Sequence, residues 1–181
     1  MKLTQKVLPA ISNHKSLQDF INSNLEYGLL MNFELAQLPS LVSNLKAHNK
    51  KVIVHQELIK GLARDEHGAL YLIQELKVDG IVTSKAKVIT LCNKRGVISI
   101  LRIFLKDLLS LEQGIVVALK TLPNYVEILP SSAIMIVEDI KLRLNIDLIF
   151  SGLIHTREHA INCLKNGAIA ISTSNPKFWD I

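Results

Sequence analysis

The 181-residue sequence contains two cysteines, Cys92 and Cys163. Two thiols far apart, each inside a helical pattern, form neither a disulfide framework nor a paired metal-ligand spacing. Both read as reduced core thiols of a cytoplasmic protein. Aromatic residues make up 5% of the chain, too few for the stacking platforms that grip single-stranded nucleic acid. No apolar run reaches the ~18 residues of a membrane-spanning helix, so no membrane partner is expected. The opening stretch MKLTQKVLPAISNHK lacks the apolar core of a secretory signal. No block of like charges resembles a nucleic-acid-binding tail. Lys and Arg number 21 against 16 Asp and Glu, a net charge of +5. That balance admits nucleic acid or anionic metabolites as partners without requiring them. There is no linker, low-complexity stretch or sequence repeat, and the length fits one domain over residues 1–181.

What the chain does have is 49% apolar residues, gathered into eight short runs. The runs Val7–Ile11, Gly28–Asn32, Lys51–Glu57, Gly80–Ser84, Val97–Phe104, Tyr125–Pro130, Leu148–Ile154 and Ala168–Thr173 are mostly continuous rather than alternating. That is the pattern of strands buried on both faces, as in parallel sheets. Helical spacing separates them: Leu35, Leu38, Val42 and Leu45; Leu58, Leu62, Leu70, Ile73 and Leu76; Leu108, Leu111, Ile115, Ala118 and Leu119; and Ile134, Val137, Ile140 and Leu144. Asn13, Thr156 and Asn175 stand where helices should start, and Pro39 fits a first helical turn. The expected fold class is α/β, a compact (β/α)8 barrel with a short final helix. An open doubly wound sheet is the alternative.

In a (β/α)8 barrel the functional face lies at the carboxyl ends of the strands, with phosphate commonly held by the loops after strands seven and eight. The segment SGLIHTREHAINCLKNGAIAISTSN, residues 151–175, ends both strands in small residues rich in N–H groups and hydroxyls. Ser151, Gly152 and Leu153 with Thr173, Ser174 and Asn175 therefore form a candidate phosphate cup. Asn175-Pro176 would start a short helix whose free N–H groups point at the anion. The competing reading is a pair of tight turns beside a capped helix. Arg102 and Glu127 lie inside apolar strands, where a charge is costly unless paired. They suit either a structural ion pair or, with Glu57 and Lys85, a clamp for polyol or phosphate oxygens. His55 fits a hydrogen-bonded core histidine better than a base. His155 and His159 lack a third ligand and face solvent. No nucleophile–base pair and no metal cluster emerges, so catalytic residues, metal and cofactor are all expected to be absent. Three basic groups could meet RNA phosphates: Lys46 to Lys51 with His48, Lys85 to Arg95, and Arg157 with Lys165. Their plainer reading is as solvated helix faces.

The ordered set VLPAISN, VIVHQELIKGLARDEHGALYL, VDGIVTSK, VEILP, SGLI, GAIAISTSN and the closing FW resembles the glycerol uptake operon antiterminator family over nearly the whole chain. The resemblance implies a barrel protein of the bacterial cytoplasm that is not an enzyme. It also implies glycerol-3-phosphate as effector and the leader of messenger RNA as target. Gly152, Leu153, Thr173, Ser174 and Asn175 match the family's pattern at the cup. Arg102 and Glu127 match its polar strand positions, Lys85 its basic position, and Pro9 and Asn13 its first strand and loop. The chain departs from that pattern at Ser151, Glu57, Ser131 and Asn32. Those departures leave two alternatives: a diverged paralogue that has lost ligand binding, or a small phosphorylated-metabolite enzyme on the same barrel. Self-association as a homodimer is compatible with the composition.

Overall fold

The computed structural model describes residues 3–181. Eight parallel strands close into a barrel in chain order. They are β1 (Val7–Ile11), β2 (Tyr27–Leu30), β3 (Lys51–His55), β4 (Gly80–Thr83), β5 (Ile98–Phe104), β6 (Tyr125–Leu129), β7 (Asp147–Ser151) and β8 (Ala170–Thr173). β8 closes on β1, with Val7 opposite Ile171 and Leu8 opposite Ser172. The outer ring holds α1 (His14–Ile21), α2 (Leu38–Ala47), α3 (Glu66–Leu70), α4 (Ala86–Arg95), α5 (Leu108–Thr121), α6 (Val137–Arg143) and α7 (Arg157–Lys165). The eighth helix is reduced to a 3-10 turn, Pro176–Phe178. Short connections of this kind bring the chain below the ~250 residues of a typical barrel.

The continuous apolar runs have a direct cause. Alternate residues point to opposite sides of each strand, and both sides are buried. Leu8, Leu29, Ile53, Val82, Ile100 and Ile149 fill the barrel interior, with Tyr27 and Tyr125 at its amino-terminal end. Leu3 seals that end and donates its backbone N–H to the Tyr125 hydroxyl at 2.7 Å. The other faces, including Val54, Ile81, Val126 and Phe150, pack under the helices as a second core. Each such side chain removed from water stabilises the fold by about 1.5–3 kcal/mol.

Helix starts follow the sequence. Asn13 caps α1 in a reciprocal capping box with Ser16, Thr156 caps α7, and Pro39 sits in the first turn of α2. Cys92 and Cys163 are buried and unpaired.

Three expectations need correction. The apolar spacing from Leu58 to Leu76 is not one helix. Gly61 has a left-handed φ of 83°, and regular α-helix is confined to Glu66–Leu70, behind an Asp65 N-cap, followed by a wide turn at Tyr71–Glu75. Glu57 falls not in β3 but in the short 3-10 turn after it. Leu108 and Leu119, which share the helical period of α5, lie on its exposed side.

Candidate functional site

The carboxyl ends of the strands surround a cavity of about 440 Å³. All six residues of the expected cup line it: Ser151, Gly152 and Leu153 from β7, and Thr173, Ser174 and Asn175 from β8. The two strand ends are direct neighbours, with Ser151 opposite Ser172 in the ladder. Gly152 takes a left-handed φ of 71° and Leu153 one of 56°. For leucine that conformation costs roughly 1–2 kcal/mol, the kind of strain that collects at functional sites. The turn is held by Ser131, whose N–H and hydroxyl both donate to the Gly152 carbonyl, at 3.1 and 2.5 Å. Among the described residues, no acceptor within the chain meets the N–H of Gly152, Leu153 or Ser174. Unpaired amides at a cavity wall are donors available to an anion.

The final turn behaves differently from the expectation. The Asn175 side chain takes the Lys177 N–H at 3.1 Å, and the Phe178 and Trp179 N–H groups bond inside the turn. Pro176 has no N–H to offer. The turn is therefore an anchor and not a donor: the Trp179 indole N–H holds the Thr173 carbonyl at 3.1 Å and fixes the end of β8.

Arg102, Glu127 and His55 reach the floor of the same cavity. Arg102 and Glu127 are register partners on β5 and β6, with Nε 3.8 Å from Oε2. Arg102 also donates through Nη1 to Nε2 of His55. An arginine has no acceptor to offer, so His55 must present a lone pair at Nε2 and carry its proton on Nδ1. Nδ1 in turn lies 3.5 Å from the Glu57 carboxylate. The result is a polar chain, Glu57–His55–Arg102–Glu127, across the barrel interior.

Burial, with Arg102 adding to it, pushes the His55 imidazole down to about 4, against the pull of Glu57. Burial pushes the Glu127 carboxyl up, partly opposed by Arg102. One buried oxygen of Glu127 and the Nδ1 of His55 have no hydrogen-bond partner in the protein. Such atoms cost about 1–3 kcal/mol each when left unmet. Glu127 borders the cavity, where a hydroxyl group of a guest could meet it, whereas Nδ1 of His55 is turned towards Glu57.

The remaining expected contacts lie elsewhere. Glu57 does not line the cavity. Its Oε1 accepts from the Thr83 hydroxyl at 2.7 Å and from the Ser84 N–H and hydroxyl at 2.7 and 3.0 Å. Burial raises the Glu57 carboxyl, but these bonds outweigh it and hold it below the usual value. Glu57 thus ties β3 to β4 and places its charge beside His55 without a hydrogen bond to it. Lys85 sits exposed before α4, away from the cavity. Asn32 adopts a left-handed φ of 63° and donates its N–H to the Leu58 carbonyl. His155 is exposed at the cavity edge. Met31, Leu29 and Ala10 supply an apolar side of the cavity that the strand-end reading does not single out, and Ser172 adds a hydroxyl. Period-two alternation was the available signal: Ser172 follows inward-facing Ala170, and Met31 follows Leu29.

One basic cluster is structural. Lys50 donates to the Ser23 and Leu25 carbonyls, Lys46 to those of Leu76 and Lys77, and Lys51 pairs with Glu26 at 2.7 Å. Among the described residues no group of three His, Cys, Asp or Glu could hold a metal ion, and no helix is long and apolar enough to cross a membrane.

Barrel and site together define a class: a (β/α)8 protein with amide and hydroxyl donors at the ends of β7 and β8 above an arginine-bearing floor. The family described as glycerol-3-phosphate responsive antiterminator matches residues 7–179, and the chain belongs to it. A crystal structure of a glycerol uptake operon antiterminator regulatory protein from Listeria monocytogenes shares 30% identity and a TM-score of 0.93, covering 98% of this chain and 96% of that one. A glycerol uptake operon antiterminator-related protein from Thermotoga maritima shares 26% identity and a TM-score of 0.85, covering 98% and 99%. The uncharacterized protein YgcP of Escherichia coli is 25% identical over 175 residues, 97% of this chain and 92% of its own.

Proposed function

We infer that this protein is a metabolite-responsive transcription antiterminator rather than an enzyme. Its effector is glycerol-3-phosphate and its target the leader of a messenger RNA from glycerol-utilisation genes, in the bacterial cytoplasm. The observation that carries the reading is the convergence of the β7 and β8 ends with Arg102 on one cavity. The amides of Gly152, Leu153 and Ser174 suit a phosphate, as do the hydroxyls of Ser151 and Thr173. Arg102 adds a fork for anionic oxygens, and Glu127 can meet a hydroxyl of a short polyol. Family membership gives the regulatory role. The effector acts by binding one conformation of the protein more tightly than another, and only that difference in affinity can shift RNA binding.

The test has two arms. Thermal unfolding is followed with glycerol-3-phosphate, glycerol or inorganic phosphate, and leader RNA is then titrated at low salt with and without the best of them. Stabilisation by glycerol-3-phosphate beyond that of either fragment, together with ligand-dependent RNA affinity, is the expected result. No ligand-specific stabilisation and no RNA binding would leave a barrel scaffold without this role. Ser151→Gly separates a cup narrowed by its serine from one that never binds, because only the former gains affinity.

A further inference from the structure

A helix on the outside of a barrel normally shows a polar face to water. α4 and α7 do so, with Lys87, Thr90 and Lys94 on one and Glu158, Asn162 and Lys165 on the other. α5 does not. Phe104, Leu108, Leu109, Val116, Leu119 and Leu122, on α5 and at its two ends, are between 52% and 76% exposed. Together they present on the order of 600 Å² of apolar surface, the top of the range for the largest patch on an ordinary monomer and close to the ~800 Å² one partner gives to a standard interface. The inward face of the same helix is already used, since Leu111, Ile115 and Ala118 are buried. The outer face is therefore surplus to folding.

Its spacing is also that of a helix-packing seam. Leu109, Glu112, Val116 and Leu119 follow each other at intervals of 3, 4 and 3 residues, the repeat by which one helix presents a continuous ridge to another. The one acidic member, Glu112, is held by Arg143 of α6 in a two-bond pair at 2.7 and 2.6 Å. The charge of Glu112 is thus balanced within the ridge, with Lys120 of α5 and Asp139 of α6 exposed beside it. An RNA would need the opposite character, cationic and polar. A contact between identical copies about a two-fold axis needs a surface that complements itself. An apolar ridge with one acid and one base side by side meets that need, because each copy brings both partners of every contact.

The geometry points to a homodimer in which the exposed face of α5 packs against the same face of a second copy. The proposal is independent of the ligand reading, because none of the seam residues borders the cavity.

Analytical ultracentrifugation of the full chain tests it, over roughly 1–100 μM. The expected result is a concentration-dependent dimer whose dissociation constant rises by about 30-fold or more in Leu109→Glu and Val116→Glu, as for central residues of an interface. Thr90→Glu on α4 should leave it unchanged. Both target residues are exposed in the protomer, so the far-ultraviolet circular dichroism of the variants should match that of the parent. A parent that stays monomeric at 100 μM overturns the proposal, whatever else then binds the patch. So does a dimer that persists in both folded variants, which would place the contact on another face.

Discussion

His55 is neutral because charging it would strand a cation in the barrel interior beside Arg102. Its imidazole is held at about 4, against 6.5 ordinarily. As pH falls through 6.5 the unfolded chain takes up a proton at this residue, and the folded chain does not until about 4. Stability contributed here is complete above 6.5 and declines across that window. Glu127, held above its ordinary value, works in the opposite sense: the folded state retains its proton longer, and stability falls as pH rises from 4.5. Comparing variants isolates the first effect. His55→Gln should remove on the order of 1–2 kcal/mol of the loss between pH 7 and pH 5. Urea unfolding at the two pH values measures it, and an equal loss in parent and variant would refute the assignment.

Arg102 is the second decisive residue. Arg102→Ala removes the forked donor from the cavity floor and leaves Glu127 and His55 without their shared partner. Charge-assisted hydrogen bonds contribute about 1.5–3 kcal/mol, so glycerol-3-phosphate affinity should drop roughly 10- to 100-fold by isothermal titration. Arg102→Lys should recover only part of it, since an ammonium cannot reproduce the fork. The sequence makes Arg102 and Glu127 suspects because charges inside apolar strands demand a partner. It gives no sign that His55, two strands away on β3, completes the chain, because that link depends on how the lumen is crossed.

At the scale of elements, α5 sits so close to β5 that Gly114 has no room for a side chain. A Cβ there would meet Ile103 at 2.7 Å, on a stiff branched residue. Gly114→Ala gains up to ~1 kcal/mol of helix propensity but overpacks at a cost of about 1–3 kcal/mol. Net destabilisation, of about 1 kcal/mol by denaturant midpoint, is the expected balance.

The same helix shows what periodicity can and cannot reveal. Strands β1 to β8 are legible because Val- and Ile-rich runs satisfy both faces of a closed sheet. Helix α5 is legible as a helix, but an apolar residue on its outer face, Leu108 or Leu119, has the same signature as one on its inner face. Spacing alone cannot say which side meets the core. Around α3 the failure is local: the left-handed turn at Gly61 breaks a spacing that Leu58, Leu62 and Leu70 otherwise satisfy. The anion-binding role expected of the last turn fails for a similar reason. Asn175 is indeed a cap, but a cap consumes the very N–H that would have been offered.

For the whole molecule, ligand binding to the folded state should appear as added stability. At 100 times the dissociation constant the gain is about 2.7 kcal/mol. In a chain of this length each kcal/mol moves the midpoint by roughly 2–4 °C. Saturating glycerol-3-phosphate should therefore raise Tm by about 5–10 °C in a differential scanning experiment, and at the same ligand concentration the increment in Arg102→Ala should shrink to about 1–5 °C.

The double grip of Ser131 on the Gly152 carbonyl bears on the affinity of such a sensor. A carbonyl held twice cannot swing, so the peptide plane it shares with the Leu153 N–H has already surrendered its freedom during folding. A guest of the cup would then find that donor in place. A sensor with such a preset donor would spend less of its binding energy on ordering the site.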